Sequence, residues 1–163
     1  MIILGIDPGI ATLGYGLIDK RVGGVVLVDY GIISTPKDEA TPNRLAMIDE
    51  RVTKIVAKYN PEVVAVEELF FNTNVTTGIK VAQARGVVLV CAIKHCGLLY
   101  EYTPLQVKMA LTGNGRADKK QVQFMVKAIL GLDHIPKPDD AADAIAVAIC
   151  HANTTQLQHR EIK

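Results

Sequence analysis

Ile2–Ile6 is an almost unbroken apolar run that ends on one carboxylate, Asp7, before Pro8-Gly9. Its length and the turn residues behind it predict a buried strand. Gly14–Asp19 and Val25–Ser34 read as two more strands, separated by Lys20-Arg21-Val22-Gly23-Gly24, a hairpin signal. Three strands joined this closely predict an antiparallel meander. The period then changes. Leu45, Ile48, Val52, Ile55 and Tyr59 recur at spacings of three and four, one buried helical stripe. Thr41-Pro42 suits its start, the threonine as cap and the proline in the first turn, and Asn60-Pro61 ends it. Glu62–Glu67 is a β-branched fourth strand, again closed by an acid. A loop over 68–77 leads into a long apolar helix from about Thr77 to His95, with Gly97 as its stop. Leu98–Tyr102 is a fifth strand. Pro104 opens a short helix to about Leu111, Thr112–Gly115 breaks the chain, and helices follow over Ala117–Leu130 and about Asp140–Asn153.

The order is β-β-β-α-β-α-β-α-α-α. A helix joins the meander to the fourth strand and another joins the fourth to the fifth, so right-handed crossovers and parallel pairing are expected there. The predicted architecture is α/β, a mixed five-stranded sheet with helices on both faces. It forms one domain over residues 1–163, of which 154–163 is a short tail. Such sheets place their sites at the carboxyl ends of the parallel strands.

Composition narrows the class. A chain of 163 residues, 49% hydrophobic, suits one domain with a sizeable core. No apolar run approaches the ~18–20 residues that span a bilayer, and the start of the chain lacks a signal-peptide pattern. Cys91, Cys96 and Cys150 form no disulfide-like array and read as buried reduced thiols of a cytoplasmic protein. Cys91 and His95 are four apart, but the further ligands that a structural zinc needs are missing. The net charge of +1 hides an asymmetry: residues 70–130 hold eight lysines and arginines against two acids, a net of +6, which leaves −5 for the rest. A basic half facing a polyanion and an acidic half holding a site fit that distribution.

The acids form the candidate chemistry. If the strands ending in Asp7 and Glu67 are adjacent and parallel, both side chains emerge at one sheet edge. Asp140 and Asp143, three apart in "DDAADAIA", project from one face of a helix's first turn. Four carboxylates at one place do not stay ionised together without a cation. Hard oxygen ligands without His or Cys select Mg²⁺ or Mn²⁺. Two such ions about 4 Å apart activate a water and stabilise the leaving oxygen in phosphodiester cleavage. Each acid also has a plainer reading: Asp7 as a turn acid, Asp139 or Asp140 as a helix N-cap, Glu67 and Glu68 as solvated strand ends.

"GIDPGIATLGYGLI", "VAVEELFF", "VAQARGV" and "DDAADAIAVAICH", in this order from Met1 to about Ala152, resemble the bacterial RuvC family of Holliday junction resolvases. The resemblance implies an RNase H-like fold and a Mg²⁺-dependent homodimer. Such an enzyme nicks two opposed strands of a four-way DNA junction in recombination and repair, leaving 5′-phosphate and 3′-hydroxyl ends. It implies that Asp7, Glu67, Asp140 and Asp143 are catalytic metal ligands, with two Mg²⁺ per subunit and Mn²⁺ able to substitute. It places Phe70, beside Phe71, against unpaired bases, and Lys108 and Lys119 near the scissile DNA, Lys119 steadying charge in catalysis. Arg116 and Lys120 add phosphate contacts. Gln83 and Arg85 are polar in an otherwise apolar helix, and Arg85 suits a dimer contact or a buttress for the site. The branch-migration proteins RuvA and RuvB are the implied partners. Two alternatives stay open: a related RNase H-fold nuclease acting on RNA, as in YqgF-like proteins, and an actin-like ATPase fragment, for which the chain is too short to clamp ATP between two lobes.

Overall fold

The computed structural model describes residues 1–69, 75–154 and 160–161, with backbone alone for 75–77 and 160–161. The strands are β1 (Ile2–Asp7), β2 (Thr12–Arg21), β3 (Gly24–Ser34), β4 (Val63–Glu67), β5 (Leu99–Tyr102) and a two-residue β6 (Arg160–Glu161). The helices are α1 (Thr41–Tyr59), α2 (Val75–His95), α3 (Pro104–Thr112), α4 (Lys119–Leu130) and α5 (Asp139–Asn153). They assemble in the order β3-β2-β1-β4-β5-β6. β1, β2 and β3 pair antiparallel, as the meander requires, and β1, β4 and β5 pair parallel, as the helical crossovers require. The expected five strands are present. The sixth adds antiparallel to β5 from a tail that carries no strand pattern.

Each face of the sheet has its own core, because successive strand residues point to opposite sides. Leu4, Ile6, Val64 and Val66 pack with Ile48, Val52 and Val56 of α1 and Ala84, Val88 and Cys91 of α2. Ile3 and Ala65 pack on the other face with α5 and with Val107, Leu111, Val122 and Val126 of α3 and α4. α5 is buried along nearly its whole length, and its alanines let it lie close to the strands. Gly5, Gly14 and Gly16 complete that fit. A Cβ on Gly5 would lie 2.1 Å from the Ala144 carbonyl oxygen, and one on Gly14 would lie 1.9 Å from that of Asp140.

Several boundaries differ from the sequence reading. Thr41 is not the cap of α1. Ala40 takes that position in extended conformation, and its N–H donates to the Glu39 side chain. The stripe of α1 is centred on Ile48, Val52 and Val56, while Leu45, Ile55 and Tyr59 are half-buried at its flank. α4 starts at Lys119 rather than Ala117, because Asp118 accepts from the Gln121 N–H and the Gln121 side chain accepts in return from the Asp118 N–H. Thr103 and Gln106 make the same reciprocal cap on α3. The three cysteines are free thiols. Among the described residues no helix is long and apolar enough to cross a membrane.

Candidate active site

β1 and β4 run side by side in register, Ile6 beside Val66, so their last residues, Asp7 and Glu67, sit together at the carboxyl end. Asp7 shares its face with Ile3 and Gly5, and Glu67 shares its face with Ala65, the face that α5 covers. Gly14, paired with Asp7 across β1 and β2, lets the first turn of α5 settle onto the strands. Asp140 and Asp143 are thereby delivered over the strand ends. One carboxylate oxygen from each of Asp7, Asp140 and Asp143 lies within 4.8 Å of the others. Glu67 joins through a side-chain hydrogen bond with Asp7.

The turn after Asp7 is held from behind. Thr35 Oγ1 donates to the Ile10 carbonyl at 2.6 Å, and the Thr35 N–H donates to that of Ala11 at 3.1 Å. The buried Arg44 donates through Nε to Thr35 Oγ1 at 2.8 Å. This lock is not legible in the sequence, since a threonine and an arginine nine residues apart across a loop carry no periodic pattern.

The carboxyls raise one another's proton affinity. Burial, then the Asp143 and Asp140 charges, push Asp7 up to about 6. Burial, then the Asp7 charge, push Glu67 up to about 8. The hydrogen bond raises Glu67 and lowers Asp7, so Glu67 keeps the proton and donates it to the Asp7 carboxylate. Burial also raises Asp143, against the pull of Lys119. Lys119 Nζ lies 2.8 Å from Asp143 Oδ2, and that hydrogen bond holds the ammonium charged. Asp139, the extra acid, turns aside to Lys137 at 2.6 Å, and that bond keeps its carboxyl below the usual range.

Beside the acids is a hollow of about 180 Å³ lined by Glu67, Lys108, Lys119 and Asp143. The structure therefore brings Asp7, Glu67, Asp140, Asp143, Lys108 and Lys119 together. It leaves Arg116 and Lys120 exposed nearby, with Lys120 on a different wall. Phe70 and Phe71 lie outside the described residues. Arg85 pairs with Glu101 of β5 and so ties α2 to the sheet, while Gln83 is exposed on α2. A cluster of hard oxygen donors whose acids resist ionising together fits a divalent cation. With two lysines at its rim, it suits hydrolysis of a phosphodiester.

The family profile described as "Crossover junction endodeoxyribonuclease RuvC" matches residues 3–151. The crossover junction endodeoxyribonuclease RuvC of Alkaliphilus oremlandii is 56% identical over 154 residues, 94% of this chain and 94% of that protein. A Thermus thermophilus RuvC structure superposes with a TM-score of 0.92 at 37% identity, covering 99% of this chain and 100% of that one. A second, T. thermophilus RuvC in complex with Holliday junction substrate, superposes with a TM-score of 0.90 at 35% identity over the same shares. The fold is the RNase H-like one.

Proposed function

The chain belongs to the crossover junction endodeoxyribonuclease RuvC family, and on that premise we propose that it resolves Holliday junctions by metal-dependent hydrolysis of one phosphodiester on each of two opposed strands. The products carry 5′-phosphate and 3′-hydroxyl ends, and the setting is recombination and repair in the cytoplasm. The observation that carries the reading is the meeting of Asp7, Asp140 and Asp143 within 4.8 Å, with Glu67 bonded to Asp7, beside Lys119.

Asp7, Asp140 and Asp143 would hold the cation with Glu67 as a fourth ligand, and Mg²⁺ is the ion these hard oxygens suit, with Mn²⁺ able to substitute. When bound, the ions supply an activated water and charge stabilisation at the leaving oxygen. The chain's own residues do the rest. Lys108 and Lys119, in one hollow with Glu67 and Asp143, hold the scissile phosphate and offset the charge that develops on it. Glu67 gives up the proton it shares with Asp7 when the site is loaded. Arg116 and Lys120 meet flanking phosphates, and Phe70 stacks on an unpaired base.

A homodimer is part of the proposal. Ile79, Gln83, Gly86, Val90 and Ile93 recur along α2 at alternating spacings of four and three, and Ile79, Val90 and Ile93 are exposed. Gly86 leaves open space in that seam. A second copy of α2 covering it would bury the apolar side chains and set two active sites about a two-fold axis. RuvA and RuvB as partners rest on family resemblance. The test offers the protein a synthetic four-way junction, linear duplex and structured RNA with Mg²⁺. Selective cutting of the junction is expected; preference for RNA would favour the YqgF-like alternative.

A further inference from the structure

A second cleft of about 790 Å³ opens along α4, lined by Thr112, Asn114, Lys120, Gln123, Phe124 and Ile135 among others. Apart from the flanking phosphate at Lys120, nothing in the reaction above uses it. Three features say what it takes. Lys119 and Lys120 are successive residues of the first turn of α4, yet Lys119 faces Asp143 while Lys120 lines the cleft. One helical step separates them, a rise of about 1.5 Å and a turn of about 100°, so the cleft lies on the face of α4 next to the one that meets the acids. Phe124 is 60% exposed, an unusual position for a large aromatic, and it lies one turn after Lys120 on the same helix face. A cation and an aromatic ring arranged in this way match the phosphate and the base of one nucleotide. Gln123 is only 6% exposed, and its Nε2 makes no well-formed hydrogen bond. It reaches toward the Asp139 carboxylate, whose stronger bond is to Lys137 at 2.6 Å. A buried amide whose bond is poorly made is costly, and a ligand acceptor relieves that cost.

We propose that this cleft receives a nucleobase of the strand being cut, stacked on Phe124 and accepting a hydrogen bond from Gln123 Nε2, and that these two residues set the base preference of cleavage. The inference rests on the junction-cleaving reading above. The remaining wall, which includes Ala117, Met125 and Ile135, is apolar and fits a planar ring rather than a phosphate. A base that turns a carbonyl or ring nitrogen toward Gln123 gains the bond, and one that turns an amino group does not.

The test measures kcat/KM on four-way junctions that differ only in the base next to the scissile phosphate, including an abasic one. The wild type is compared with Phe124→Ala and Gln123→Met; the methionine keeps the volume and removes the amide. The wild type is expected to favour one base by about 10-fold or more, the range a single stacking and bonding contact supplies. Both variants should flatten that ratio while the rate on the least favoured base stays near wild type, and the abasic junction should slow the wild type but not Phe124→Ala. Variants that keep the wild-type ratio, or that slow every junction equally, overturn the inference. The same holds if the cleft serves a partner protein, because cleavage preference by the isolated enzyme would then be unchanged. A wild type that cuts no junction overturns the function itself.

Discussion

Lys119 Nζ lies 2.8 Å from Asp143 Oδ2, joining the first residue of α4 to the acid-bearing end of α5. The lysine sits where it balances the acids and also reaches the hollow beside them. Lys119→Met should therefore slow junction cleavage roughly 10²–10³-fold, the usual loss for one charge-stabilising donor, while junction binding weakens far less. Single-turnover cleavage and a gel-shift titration measure the two separately.

Asp7→Asn should abolish cleavage with junction binding retained. It should also make the metal-free protein more stable at pH 8, because Asp7 ionises there against burial and two neighbouring carboxylates. Each kcal/mol relieved is worth about 2–4 °C in Tm for a chain of this size. The variant's Tm should respond much less to Mg²⁺ than that of the wild type. A variant that cuts at the wild-type rate removes Asp7 from the mechanism.

Acidity of the site gives a pH dependence with a definite sign. Asp7 and Glu67 titrate near 6 and 8, above the ordinary 3.8 and 4.5 they return to on unfolding. The folded metal-free protein thus holds protons that the unfolded chain loses near pH 4. Stability from these groups is complete below about pH 4 and declines as pH rises through 6 and then 8. Mg²⁺ should reverse the decline, so the Tm gain on adding it should be larger at pH 8 than at pH 5. Calorimetric titration at pH 7 in two buffers of different ionisation heat should show proton release on binding.

Much of this site was legible in the chain. Apolar runs closed by Asp7 and by Glu67, and the three-residue spacing of Asp140 and Asp143, are local patterns, and the parallel crossover that unites them follows from the order of elements. Other parts depended on shape. β6 comes from a tail without strand character and pairs with the edge that β5 offers. The seat of α5 depends on glycines opposite its backbone, a relation between segments more than 120 residues apart that periodicity does not register. The caps of α3 and α4 are readable in Thr103–Gln106 and Asp118–Gln121, whose spacing is that of a capping box.

Gly14→Ala tests that seat. The added methyl would press on the Asp140 carbonyl at 1.9 Å, so α5 must shift at its acid-bearing end. A loss of about 1–3 kcal/mol or more in denaturant unfolding is expected, with weaker Mg²⁺ stabilisation. An unchanged protein would mean that the acids do not rely on this contact.

The most direct test of the whole account maps the nicks made on a four-way junction with each strand labelled in turn, with Mg²⁺ and with chelator. The account predicts paired nicks at symmetric positions on two opposed strands, ends bearing 5′-phosphate and 3′-hydroxyl, and no cutting in chelator. Cutting that persists without divalent metal, or nicks that fall without symmetry on junction and linear duplex alike, would contradict it.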